Sequence, residues 1–291
     1  MAVATALSAC GSTSGSSGSP GSSGARLDVV AGENFWGDIA AQIGGTRVRV
    51  TSLITSPSAD PHLYQSNAAD AAAVARARVV IENGAGYDDF MGQLLSASGG
   101  RPTVVTVQQV LGEHGASVNP HFWYDVVRVP LVAQAIERAL AAADPAGTAA
   151  YQAGLRRFDA SLRPVLAVVA KIRSTYAGQP VGYTERVPGY LLADAGLTVV
   201  TPPGFATAIE NGNDPSAADT QAMQALIAGR KMRLLLYNTQ ATSAVTQHVR
   251  QLAEQAGIAV VGVSETQPAG YRSYQAWQLS QATAILRALG G

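Results

Sequence analysis

The chain has 291 residues, enough for about two compact domains, and its 20 Lys+Arg balance 20 Asp+Glu to a formal net charge of zero. That balance gives no basic face for nucleic acid and no polybasic patch for a membrane surface. Hydrophobic residues at 47% and charged residues at 14% suit a buried core, and the single cysteine excludes an intrachain disulfide or a CxxC metal cluster; no apolar run reaches the ~18–20 residues that cross a bilayer.

Residues 1–9 read as the tail of a secretory signal that ends at Cys10. The tetrad Leu7-Ser8-Ala9-Cys10 resembles a bacterial lipobox, which implies a lipid anchor on Cys10 and an extracytoplasmic position at the cell membrane. A free cysteine in a disordered tail is the plainer alternative. Residues 11–24 contain only Gly, Ser, Thr and Pro, so 10–26 reads as a flexible tether.

From residue 27 the pattern is α/β. Strands are predicted at Leu27–Ala31, Val48–Ile54, Val79–Glu82 and Thr103–Val107, and helices at Phe35–Ile43, Ala68–Ala77 (Asn67 as N-cap) and Val126–Ala143. Residues 145–177 carry apolar side chains every three or four positions and predict one long helix, kinked where Pro164 lacks its N–H. Strands then return at Val181–Tyr183, Thr198–Val200, Leu234–Tyr237 and Ile258–Val263. Helices follow from Asp214-Pro215 (cap and first turn) to about Gly229, at Thr242–Gln255 and at Tyr274–Leu289. The expected architecture is two lobes, 27–144 and 178–291, each a parallel sheet flanked by helices, joined by the helix 145–177, with a site in the interlobe cleft.

Only 4 histidines are present, and two follow prolines in loops after strands of the first lobe. The first segment is Asp60-Pro61-His62-Leu63-Tyr64, with Asp70 downstream; the second is Asn119-Pro120-His121-Phe122-Trp123-Tyr124-Asp125. Proline stiffens the approach to each imidazole, which lowers the ordering cost of metal coordination. A loop histidine hydrogen-bonded to a carboxylate would give the same local sequence.

Together the two segments resemble the first-lobe signatures of the cluster A-I substrate-binding proteins, the receptors of bacterial ABC importers for zinc, manganese or iron. Gly32-Glu33-Asn34-Phe35-Trp36 and Glu82-Asn83-Gly84-Ala85-Gly86-Tyr87 extend the resemblance, which covers nearly the whole chain from about residue 27. It implies that His62 and His121 bind a metal. It also implies a third ligand just after the second lobe's first strand, where Glu185 stands five residues before Tyr190, and a fourth after the last strand, where Glu265 stands. Asp60 and Asp125 are candidates to orient His62 and His121 through the other ring nitrogen, and Tyr64, Trp36 and Trp123 to pack around the site.

The family likeness implies capture of one divalent transition metal ion and delivery to an ABC permease, by a monomer, without catalysis. Two imidazoles and two carboxylates suit Mn²⁺ or Fe²⁺, and nearly as well Zn²⁺, which binds N/O sites more tightly than Mn²⁺. A surface lipoprotein or adhesin without a transport role, and a metallohydrolase, are the alternatives; there is no His-Glu-x-x-His helix to support the second. His114 is a candidate auxiliary ligand, and His248 reads as half-buried within a helix. Asn238 and Gln240, after a strand, are placed to reach the cleft.

Overall fold

The structure is a computed structural model that describes residues 1–3, 26–56, 61–115 and 117–291. Cys10, its flanking tether and Asp60 lie outside the described residues. The first lobe runs β1 (Leu27–Glu33), α1 (Asn34–Gly44), β2 (Val48–Ile54), α2 (Ala68–Arg76), β3 (Val79–Glu82), α3 (Phe90–Ala97), β4 (Thr103–Thr106), α4 (Val107–Val110) and α5 (Val129–Ala143). Its parallel sheet has the order β2-β1-β3-β4. In β1, Val29, Val30 and Ala31 are all buried, as expected of a strand covered on both faces.

The predicted long helix is present but bent. It runs as α6 (Thr148–Ser161) and α7 (Arg163–Tyr176), joined at Leu162, because Pro164 has no N–H to continue the ladder. Gly154 lets α6 lie directly on α1: a Cβ there would sit 2.2 Å from the carbonyl oxygen of Ile43.

The second lobe runs β5 (Pro180–Tyr183), α8 (Gly189–Asp194), β6 (Thr198–Val199), α9 (Pro203–Glu210), α10 (Ala217–Ala228), β7 (Leu234–Asn238), α11 (Ala244–Gln255), β8 (Ala259–Val263) and α12 (Tyr274–Leu289). Its parallel sheet has the order β6-β5-β7-β8. The expected helix start at Asp214-Pro215 moves to Ser216, whose hydroxyl accepts the Asp219 N–H at 3.1 Å and caps α10. The sequence does not predict α8 and α9, nor α3 and α4 of the first lobe.

The lobes share one apolar core. It extends from Val29 and Ile81 of the first sheet through Phe35, Trp123 and Trp277 to Leu234, Leu236 and Val263 of the second. Phe35 stacks on Trp123 with centroids 4.2 Å apart, and Tyr124 meets the edge of Trp277 at 5.8 Å. This aromatic column lies behind the carboxyl ends of the strands, where the candidate ligands emerge.

Candidate metal centre

His62 sits on a short 3-10 turn, Pro61–Leu63, after β2. The turn is secured to α2 through Tyr64, whose hydroxyl donates to Asp70 Oδ2 at 2.8 Å. Asp70 also accepts the Asn67 N–H, and Asn67 accepts the N–H groups of Ala69 and Asp70, a capping box that starts α2. His121 is fully buried, just before the 3-10 turn Phe122–Tyr124. Its Nδ1 lies 2.6 Å from Asn119 Oδ1. The Asn119 amide is oriented by its Nδ2, which donates to Arg186 O at 2.9 Å. Asn119 Oδ1 can only accept, so a proton sits on His121 Nδ1 and Nε2 is the nitrogen turned to the cleft.

Both second-lobe carboxylates are buried in the same place. Glu185 follows β5 and is 1% exposed; Glu265 follows β8 and is 0% exposed. Glu265 Oε2 lies 3.3 Å from His62 Nε2 and 3.6 Å from His121 Nε2, and one ligand atom from each of these three residues lies within 4.8 Å of the others. Glu185 stands outside that tight trio and adjoins it through Asn238, whose Nδ2 donates to both Glu185 Oε2 and Glu265 Oε1. Glu185 Oε1 is buried and has no hydrogen-bond partner among the described residues. Arg186, the obvious alternative partner for Glu185, instead forms a two-pronged pair with Glu210 at 2.6 and 2.7 Å.

The electrostatics follow from that packing. Burial, then the neighbouring Glu265 charge, pushes the Glu185 carboxyl up to about 8. Burial would raise Glu265 as well, but hydrogen bonds and charge from His121 and His62 override it and hold that carboxyl well below the usual range. In the metal-free pocket these effects favour the charge on Glu265 and the proton on Glu185. Two imidazole nitrogens and one carboxylate oxygen converging on a buried point, with a second buried carboxyl group beside them, are a donor set suited to a divalent cation.

The family described as zinc-uptake complex component A, periplasmic (ZnuA), matches residues 29–288. The chain belongs to this family. The expected class, metal-binding substrate-binding proteins of the cluster A-I type, thus holds for the ZnuA-family chain. It is 30% identical over 193 residues to the zinc-binding protein TroA of Treponema pallidum, a stretch covering 62% of this chain and 59% of TroA. It is 27% identical over 145 residues to the manganese-binding lipoprotein MntA of Bacillus subtilis, 47% of each chain. The matches thus span less than two thirds of either relative. In fold, the solved TroA structure superposes with a TM-score of 0.76 at 22% identity, covering 91% of this chain and all (100%) of that one. The Mn-bound periplasmic metal-binding protein of Candidatus Liberibacter asiaticus gives 0.75 at 20% identity, with coverage of 91% and 100%.

Around the candidate ligands of this ZnuA-family chain, several expected roles change hands. Asn119, not Asp125, binds the second nitrogen of His121; Asp125 instead accepts Arg128 Nε at 2.5 Å and the Arg128 N–H at 3.0 Å. Tyr64 turns to Asp70 and to Phe90, 4.9 Å away, so it braces the His62 turn rather than lining the cleft. Trp123 does line it, edge-on to His121 at 5.2 Å. Trp36 acts one step back: its Nε1 donates to Asn83 Oδ1 at 3.2 Å, and Asn83 Nδ2 donates to Pro120 O.

Tyr87, absent from the predicted ligands and their neighbours, donates across the cleft to Glu265 Oε2 at 3.1 Å. The segment Glu82–Tyr87 stands out in the sequence as part of the family resemblance; its left-handed run Gly84, Ala85 and Gly86 (φ 77°, 56° and 79°) precedes Tyr87. Gln240 Oε1 accepts the N–H groups of Glu265 and Thr266. His114 and His248 are both exposed, so the half-buried reading of His248 is corrected; neither belongs to a metal-capable cluster among the described residues. No helix among the described residues is long and apolar enough to cross a membrane.

Proposed function

We propose that this chain captures one divalent transition metal ion outside the cytoplasm, using His62, His121, Glu185 and Glu265, and passes it to an ABC permease for import. The convergence of two imidazole Nε2 atoms and a Glu265 oxygen within 4.8 Å carries the reading; the unpartnered Glu185 Oε1 supports the fourth place. The ion is cargo, bound and released unchanged. Asn119 and Asn238 hold His121 and the two carboxylates for it, Trp123 limits water, and loading expels the proton held by Glu185.

Two carboxylates among four donors favour Mn²⁺ or Fe²⁺ slightly over Zn²⁺ as the physiological cargo. The relatives divide the same way, TroA being named for zinc and MntA for manganese. Cys10 is the proposed lipid anchor, supported by the Leu7-Ser8-Ala9-Cys10 tetrad and by the lipoprotein name of MntA. The receptor is proposed to work as a monomer. The test is elemental analysis of stripped and reloaded protein: about one divalent ion per chain is expected, lost in His121→Ala. Parent-level binding in both His121→Ala and Glu185→Gln would overturn the reading.

A further inference from the structure

The segment that carries Glu265 is an irregular connection between β8 and α12, and the first lobe grips it at several points. Asn34, the first residue of α1, places its side-chain amide against the backbone of Gln267. Its Nδ2 donates to Gln267 O at 2.8 Å and its Oδ1 accepts the Gln267 N–H at 3.0 Å. On either side of Glu265, Tyr124 donates to Ser264 O at 2.9 Å and Thr266 Oγ1 donates to Ser56 O at 3.1 Å.

Asn34 heads a polar stripe along one face of α1, since residues four apart stack on the same side of a helix. One turn on, Asp38 Oδ2 accepts the N–H of Tyr274 at 2.7 Å, so a first-lobe carboxylate satisfies the start of a second-lobe helix. A further turn on, Gln42 and Gln275 exchange two hydrogen bonds at 2.9 and 2.6 Å. The stripe Asn34–Asp38–Gln42 therefore fastens both ends of the connection, with Asn34 at the end nearest Glu265.

We propose that Asn34 is a positioning residue for Glu265, and that its two-pronged grip on Gln267 controls how long the metal is held. The inference rests on the metal-site reading above. Only a primary amide offers a donor and an acceptor side by side to one residue's backbone. With that grip in place, the Glu265 carboxylate stays registered against the imidazoles of the opposite lobe. Without it, the loop relaxes toward its own sheet and Glu265 meets the ion at a different distance.

The test uses Co²⁺, whose visible bands report its ligand geometry, in the full chain. Asn34→Ala and the nearly isosteric Asn34→Asp, which keeps the acceptor and loses the donor, should each shift the Co²⁺ spectrum. Each should also release the ion to a chelator about 10-fold faster, as expected from losing one or two hydrogen bonds. Gln42→Ala removes three bonds at the far end of the same stripe, two with Gln275 and one to Asp38, and should keep the parent spectrum. The proposal fails if both Asn34 variants keep the parent spectrum and release rate, or if Gln42→Ala shifts the spectrum as far as they do. Should Asn34→Ala not fold, Asn34→Asp decides alone. A His121→Ala variant that keeps the parent Co²⁺ spectrum would overturn the site itself; a colourless His121→Ala beside an unaltered Asn34→Asp overturns only the role of Asn34.

Discussion

Glu185 and Glu265 share a single donor, the Nδ2 of Asn238, although they emerge from different strands of the second sheet. Two buried carboxyl groups held by one amide repel each other if both ionise, and the imidazoles compensate Glu265 more fully than Glu185. A cation bound between the lobes would relieve that repulsion.

Removing the shared donor should therefore harm the empty protein more than the loaded one. Asn238→Ala leaves buried acceptor atoms unmatched, a loss of about 1–3 kcal/mol. Denaturant titration of the metal-free and metal-loaded forms should show the larger loss in the former. Equal losses would count against the pairing.

Metal loading should liberate a proton. Glu185 is pushed up to about 8 by burial and by Glu265, so near neutral pH the ion displaces its proton, and affinity should rise about tenfold per pH unit as pH climbs toward 8. Titration calorimetry in buffers of different ionisation enthalpy measures the release, which Glu185→Gln should abolish. The same group makes the metal-free fold lose stability with rising pH. Its folded value exceeds the unfolded value near 4.5, so its contribution is fully present below that value and is lost as pH rises through the folded value. Glu265 works in the opposite sense: it stabilises above the ordinary carboxylate range, and that contribution is lost as pH falls.

Asn119 and Asp125 should separate cleanly under mutation. Asn119→Ala frees the His121 ring and should weaken metal binding about 10–100-fold. Asp125→Asn should leave the affinity near that of the parent and lower the melting temperature, because it weakens the pair with Arg128. Competitive metal binding with a fluorescent chelator distinguishes them; a larger affinity loss in Asp125→Asn would restore that residue as the partner of His121.

Equilibrium preference should follow the Irving–Williams order whatever the physiological cargo. Zn²⁺ should raise the melting temperature more than Mn²⁺ at equal concentration and displace it in competition. A stronger stabilisation by Mn²⁺ would mean that the pocket enforces a coordination geometry disfavouring tetrahedral zinc.

The two-lobe α/β fold was readable because doubly covered strands make short apolar runs separated by helical periods. Eight-residue α3 and α9, six-residue α8 and four-residue α4 were not, since such short helices carry too little periodicity. The proposed ligands were readable because two Pro-His pairs and two strand-end glutamates stand out in a chain with few histidines. Their supports were less so. Asn119 lies inside a recognised motif, but its role depends on Arg186 in the other lobe, and Tyr87 gains significance only by reaching Glu265 across the cleft. Asp125 was the chemically reasonable partner for His121, but Arg128, one helical turn away, occupies it.

The aromatic column of Phe35, Trp123 and Trp277 runs without interruption between the lobes. Swinging the lobes wide apart would wet that column along with the pocket, at a cost set by several large rings. The cheaper route to unloading moves the ligand loops and leaves the column dry. Release of a bound ion by movement of the ligand loops would leave the body of the protein shut.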